Sequence, residues 1–255
     1  EYLEYGILNQ DNNWVHTWEG LPKCNVDGSV IQYRVEENKV NGFVSTVQKD
    51  EATSTENTYS FTLTNKEVEI LRLEIPVVKV LEGAETDEKF TFKLESICNK
   101  NSAQPAPMPT YSVVYEDDGR VEGKPYSYKT VTSKGSKAGT PVSFGEIIIK
   151  PDEVDLDYGY SYLWRVSEVI PESKTPGVTY DDGYYDIAFS FYVNADGQIS
   201  IRDEGLTIYR KNKDGTQTAV DYNNGSYTLP FTNKIETTSI SVNKEWVGGE
   251  PVDAD

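Results

Sequence analysis

Histidine, cysteine and methionine are nearly missing from this chain of 255 residues: it has one His, two Cys and one Met. A single histidine, His16, argues against histidine-based catalysis and against a zinc site, which needs clustered ligands. Cys24 and Cys98 sit in different segments and form no CxxC pair, so neither a metal site nor a disulfide framework is indicated. No run approaches the ~18 apolar residues of a membrane span. No leader peptide opens the chain, and Glu1-Tyr2-Leu3-Glu4 reads like the middle of something longer. Positive charge is scarce: 24 Lys and Arg stand against 42 Asp and Glu, a net charge of −18. Such a surface repels phosphate, and no basic patch laced with aromatics offsets it, which excludes ordinary nucleic-acid binding. No paired catalytic carboxylates stand out by spacing. No cofactor and no metal are expected.

Aromatic and β-branched residues are plentiful, with 18 Tyr, 8 Phe and 4 Trp. They fall in runs that alternate with period two: 29–37, 58–65, 73–81, 88–95, 160–169, 184–193, 198–202 and 227–235. Turn signals separate them, among them Asp27-Gly28, Asn41-Gly42, Asp118-Gly119, Asp182-Gly183, Asp196-Gly197, Asp214-Gly215 and Asn224-Gly225. Residues 99–110, with three prolines, and 133–139 read as loops. No helix longer than two turns is predicted. The pattern predicts an all-β fold of tandem immunoglobulin-like β-sandwich modules.

An internal echo sets the boundaries. Phe61-Thr62-Leu63-Thr64-Asn65-Lys66 and Phe231-Thr232-Asn233-Lys234 each precede a new strand carrying a lysine, Lys79 or Lys244. This predicts a partial module over 1–68 that lacks its first strand, a complete module over 69–236, and the first strand of a further module in 237–255.

Side chains alternate across a strand, so phase tells which residues share a face. Leu73, Ile75, Val77, Lys79 and Leu81 are in phase. So are Tyr162, Trp164, Val166 and Glu168, and again Leu229, Phe231, Asn233 and Ile235. One Lys, one Glu and one Asn therefore aim at the core of the middle module. A buried charge is costly unless it neutralises, and burial lowers a lysine pKa and raises a glutamate pKa. A neutral amine is a nucleophile. A protonated carboxyl can hydrogen-bond the amide oxygen and polarise its carbon. The combination predicts attack of Lys79 on Asn233, loss of ammonia and a side-chain amide bond, with Glu168 as proton shuttle.

The flanks repeat the pattern incompletely. Glu37 is in phase with Ile31, Tyr33 and Val35, and Asn65 with Tyr59, Phe61 and Leu63, but no lysine strand precedes them. Lys244 is in phase with Ile240, Val242 and Trp246 and has no Glu or Asn after it. Phase alone selects Glu37 over Glu36 as a catalytic acid. Two expectations follow: an excerpt of a longer chain, with Lys244 and Asn65 unreacted, or strand handover that brings Lys244 to Glu37 and Asn65 of a neighbouring molecule.

Residues 71–235 resemble the isopeptide-forming pilin domain of Gram-positive backbone pilins, of the streptococcal type. The resemblance rests on Val77-Val78-Lys79-Val80-Leu81-Glu82-Gly83, Phe90-Thr91-Phe92-Lys93-Leu94, Pro105-Ala106-Pro107-Met108-Pro109, Phe144-Gly145-Glu146-Ile147, Tyr162-Leu163-Trp164-Arg165-Val166-Ser167-Glu168, Gly177-Val178-Thr179-Tyr180-Asp181 and Phe231-Thr232-Asn233. Residues 1–66 resemble a collagen-adhesin B-type domain through Asn13-Trp14-Val15-His16-Thr17-Trp18, Gly20-Leu21-Pro22, Asp27-Gly28, Tyr33-Arg34-Val35-Glu36-Glu37 and Phe61-Thr62-Leu63-Thr64-Asn65. Residues 238–249 resemble the first strand of another. The resemblance implies a spontaneous bond between Lys79 and Asn233 with the acid at Glu168. Singly, these residues have plainer readings: a snorkelling lysine, a salt-bridged or strand-end carboxylate, an edge amide.

The expected function is structural: a module of a cell-wall-anchored Gram-positive surface fibre, a pilin or an adhesin stalk. It would be extracellular and not a turnover enzyme, with neighbouring domains of the same surface protein as its partners. The alternative is an adhesin domain that grips host matrix protein or glycan through 99–141, with Tyr111, Tyr115, Tyr126 and Tyr128 as contacts. A third reading is an accessory sandwich of a secreted carbohydrate-active enzyme. Trp14, Trp18, Trp164 and Trp246 are expected in packing, and His16 in solvent. Asp152, Asp155, Asp157 and Gly159 resemble a calcium loop only in outline. Asp181-Asp182-Gly183 reads as a hairpin turn. Asn224-Gly225-Ser226 fits a glycosylation acceptor but signals a turn more strongly. No LPxTG-type sorting motif and no lysine-bearing pilin motif is visible.

Overall fold

The computed structural model describes residues 4–55, 57–98, 105–115, 121–150, 160–222, 227–245 and 247–249. Trp246, the calcium-like stretch from Asp152 to Gly159, and the turns at Asp118-Gly119 and Asn224-Gly225-Ser226 lie outside the described residues. The chain divides into two compact units, Glu1–Lys66 and Glu67–Asp255.

In the first unit, β1 (Phe43–Lys49) pairs with β2 (Phe61–Glu67). Residues 31–37 keep the predicted alternation: Ile31, Tyr33, Val35 and Glu37 are half-buried and their neighbours exposed, but the segment joins no ladder. Among described residues 4–66, none is fully buried. Among those described residues the only sheet is the two-stranded one, with no second sheet to close a core against. Trp14 is accordingly 67% exposed rather than packed. It follows a short 3-10 turn with left-handed backbone at Asn13 and Trp14. Trp18 is half-buried and stacks edge-on with the exposed His16.

The second unit is a β-sandwich. Its strands are β3 (Leu71–Leu73), β4 (Val77–Gly83), β5 (Lys89–Ile97), β6 (Val113–Val114), β7 (Pro125–Lys134), β8 (Thr140–Val142), β9 (Ile147–Ile149), β10 (Tyr160–Val169), β11 (Val178–Thr179), β12 (Tyr184–Val193), β13 (Ile199–Lys211), β14 (Gln217–Ala219) and β15 (Leu229–Ile235). One sheet runs β14-β13-β12-β10-β5-β7-β6, the other β11-β15-β4-β8, and β3 pairs with β9. Apolar stripes from the two sheets meet: Phe92 lies 5.5 Å from Phe231 and Tyr185 5.2 Å from Phe231, centroid to centroid. Trp164 is fully buried and anchors its indole N–H on the Pro107 carbonyl.

The predicted strand over 73–81 is split, because Pro76 has no N–H for a ladder. The strand predicted at 198–202 instead continues to Lys211. β4 and β15, the first and last strands of the four-stranded sheet in chain order, lie side by side and parallel, with Phe231 opposite Lys79 and Asn233 opposite Leu81. Residues 236–245 form no strand, and Ile240 and Val242 are both 86% exposed. The strand expected over 238–249 is not formed among the described residues there.

Candidate functional site

Lys79 occupies the inward phase of β4, between Val77 and Leu81, and its side chain is fully buried. Asn233 occupies the same phase of β15, two positions beyond Phe231, and is also fully buried. Glu168 comes from β10 in the facing sheet, where it follows Tyr162, Trp164 and Val166 on the buried stripe. The sandwich brings these three side chains together. Lys79 Nζ donates to Glu168 Oε2 at 2.9 Å, and Asn233 Nδ2 donates to Glu168 Oε1 at 2.7 Å. The carboxylate thus bridges the amine and the amide nitrogen.

The walls are apolar. Lys79 Nζ sits 4.6 Å from the Phe90 ring centroid and 5.9 Å from that of Phe92. Gly135 closes over the lysine stem: a Cβ there would fall 2.7 Å from Leu81 Cγ and 3.0 Å from Lys79 Cγ. Gly83 ends β4 with φ +85° and packs so tightly on the Ile235 carbonyl that a side chain has no room.

Burial pushes the Lys79 pKa down, against the opposing charge and hydrogen bond of Glu168. Burial pushes the Glu168 pKa up, against Lys79 and the Asn233 hydrogen bond. Both shifts favour the same event, a proton passing from the ammonium to the carboxylate, which leaves two neutral groups in a dry site.

The amide orientation differs from the expected one. Asn233 Oδ1 accepts from the Asp181 backbone N–H at 2.8 Å. A backbone N–H only donates, so the atom facing it must be the oxygen, and the NH2 group must face Glu168. Glu168 therefore does not polarise the carbonyl oxygen; Asp181 N–H holds that position. The sequence marks Asp181 as part of a turn, not as a donor to Asn233, because a main-chain donor leaves no mark in a sequence.

The first unit contains a second acid–amide contact. Asn65 Nδ2 donates to Glu37 Oε1 at 3.0 Å. Glu37 Oε2 accepts from the Ser45 hydroxyl at 2.6 Å. Glu37 is half-buried, and Asn65 and Ser45 are exposed. Glu36 faces the other way, paired with Arg34. Lys244 lies exposed in the irregular segment after β15. Cys24 is exposed, Cys98 buried, and both are free thiols.

Residues 75–236, well over half of the chain, match the family model for the Spy0128-like isopeptide containing domain. Residues 3–66 match that for the Cna protein B-type domain, an immunoglobulin-like β-sandwich. No curated protein matches. Among solved structures, the major pilin of Streptococcus pyogenes matches at 18% identity over 64% of this chain and 50% of its own, with a TM-score of 0.31. The T-13 major pilin protein of the same organism matches at 14% identity over 67% of this chain and 55% of its own, also with a TM-score of 0.31. The chain thus spans about half the length of the pilins it matches.

Proposed function

The chain belongs to the family of Spy0128-like isopeptide containing domains, and from that membership we propose that it is a load-bearing module of a Gram-positive surface fibre, tied by a spontaneous bond between Lys79 and Asn233. The observation that carries this reading is the fully buried contact of one carboxylate with one amine and one side-chain amide.

The step balances without a co-reactant. The Lys79 ammonium first gives a proton to Glu168. The neutral Nζ attacks Cγ of Asn233, and the negative charge collects on Oδ1. Glu168 passes the proton it received to Nδ2 and then, as a carboxylate again, takes one from the attacking nitrogen. The Cγ–Nδ2 bond breaks, ammonia leaves, and the Nζ–Cγ amide remains beside a neutral carboxylic acid. No charge is left in the core, so the desolvation cost of the ion pair disappears. The chemistry happens once per chain, so the module is not a turnover enzyme.

The bond would close a loop of roughly 150 residues, worth about 5 kcal/mol by the chain-entropy argument used for disulfides. Its mechanical role is larger. Tension enters at β4 and leaves at β15, and a covalent link between adjacent strands carries it past the rest of the sandwich. No oxidising environment is required. The working location is the cell surface, and the working partners are neighbouring domains and subunits of the same fibre. Intact mass spectrometry of the purified chain tests the reading: the mass should fall one ammonia below the sequence mass, with a branched peptide joining Lys79 to Asn233. An unmodified mass in the folded protein refutes it.

A further inference from the structure

We infer that the backbone N–H of Asp181 is the oxyanion donor for the Lys79–Asn233 reaction, and that the Asp181 side chain exists at this position to aim it. This rests on the reading above and adds a catalytic group and a positioning residue to it.

When Nζ adds to Cγ, the electron pair of the C=O moves onto Oδ1, and that oxygen needs a donor already in place. Glu168 cannot supply it, because its two oxygens are engaged by Nζ and Nδ2. The Asp181 N–H, 2.8 Å from Oδ1, is in hydrogen-bonding range before any reaction.

The donor belongs to an irregular connection, between β11 and β12, and such a segment needs fixing to aim at one atom. The Asp181 carboxylate does this. Its Oδ2 accepts from Thr232 N at 3.0 Å, the residue next to Asn233 on β15. Its Oδ1 accepts from Gly183 N at 3.1 Å and from the Arg210 guanidinium. Arg210 is itself seated against the rings of Tyr185, 4.8 Å away, and Phe231, 5.3 Å away. A Cβ at residue 183 would collide with that guanidinium. The residue that donates to the reacting amide through its main chain thus grips the amide's own strand through its side chain. The two hydrogen bonds, from Thr232 N to the Asp181 carboxylate and from Asp181 N to Asn233 Oδ1, tie donor and acceptor strand to each other.

The test follows bond formation in freshly synthesised protein by intact mass against time. Replacing the peptide bond before Asp181 with an ester, by semisynthesis, removes only the N–H. It should slow the appearance of the ammonia-depleted species by roughly 10²- to 10³-fold. Asp181→Ala, which keeps the N–H but loses its aim, should slow the reaction less, and Asp181→Asn should recover part of the loss by keeping an acceptor for Thr232 N. A second measurement needs no variant. In isotope-labelled wild-type protein, a through-hydrogen-bond coupling should connect the Asp181 amide nitrogen to the side-chain carbonyl carbon of residue 233. An ester variant that reacts at the wild-type rate, or absence of that coupling, overturns the inference. Wild-type protein that never loses ammonia instead overturns the bond itself, so the two failures are distinct.

Discussion

Glu168 and Glu37 hold their asparagines alike, carboxylate oxygen to amide nitrogen at 2.7 and 3.0 Å, but their second oxygens meet different groups. In the second unit that group is the Lys79 amine; in the first it is the Ser45 hydroxyl. The surroundings differ as much. Lys79 and Asn233 are sealed between two sheets, whereas Asn65 and Ser45 face water beside a single two-stranded sheet. On the proposed chemistry an acid touching an amide is insufficient: an amine is needed as well, with the apolar wall of Phe90 and Phe92 favouring its neutral form.

The strongest way to break this contrast is to count ammonia. The whole chain should lose one and not two, and Asn233→Ala should lose none. That variant should also give up about 5 kcal/mol in denaturant titration, since it forfeits the closed loop, and trypsin should cut it faster. A second loss, mapped to Asn65, would erase the distinction between the two sites.

Glu168→Ala should stop the bond while keeping the sandwich. The buried ammonium then has neither a proton acceptor nor a counter-charge, and breaking such a pair costs about 3–5 kcal/mol. Tandem mass spectrometry should find Lys79 and Asn233 on separate peptides.

A pH series sharpens the argument further. Proton transfer within the pair changes no net charge, so the rate of bond formation should hold across neutral pH. Glu168 has its pKa raised above the ordinary 4.5, chiefly by burial. Once the pH falls through that raised value the acid is already protonated while Lys79 is still an ammonium, and the rate should drop. The fall should therefore centre above pH 4.5; a fall centred below it would mean that the charge and hydrogen bonds of Lys79 and Asn233 outweigh burial.

The smallest effect is the most pointed. Ser45→Lys places an amine where the hydroxyl now meets Glu37, and so assembles all three residue types in the first unit. Open to water, that amine stays protonated, and the mass should show no additional ammonia loss. Rapid bond formation there would show that burial is not the deciding factor.

Much of the buried site is written in strand phase. Lys79, Glu168 and Asn233 each interrupt an apolar stripe of period two, and a stripe that long has a defined inward side. The contact of Glu37 with Asn65, and the turning away of Glu36, follow the same rule. Phase does not reveal what completes a site from outside the stripes. Ser45 lies on β1, a run too polar to mark an inward face. The Asp181 donor is a main-chain group, common to every non-proline residue. Phase also fails where a run joins no sheet: residues 31–37 alternate without a ladder, 236–245 form no strand, and Trp14 is exposed, because alternation describes a face and not the presence of something to cover it.

The parallel pairing of β4 with β15 also sets a schedule. Neighbouring strands this far apart in sequence meet late, because the chain between them must be ordered first. A nascent or translocating chain carries Lys79 long before Asn233 exists beside it, and the two cannot react while the polypeptide is threaded unfolded. The register that seats Asn233 next to Leu81, with Glu168 arriving from the opposite sheet, forms only when the sandwich is complete. Bond formation would then act as a proofreading step in time: a misfolded module stays reversible and open to proteases, and only a correctly finished one is locked.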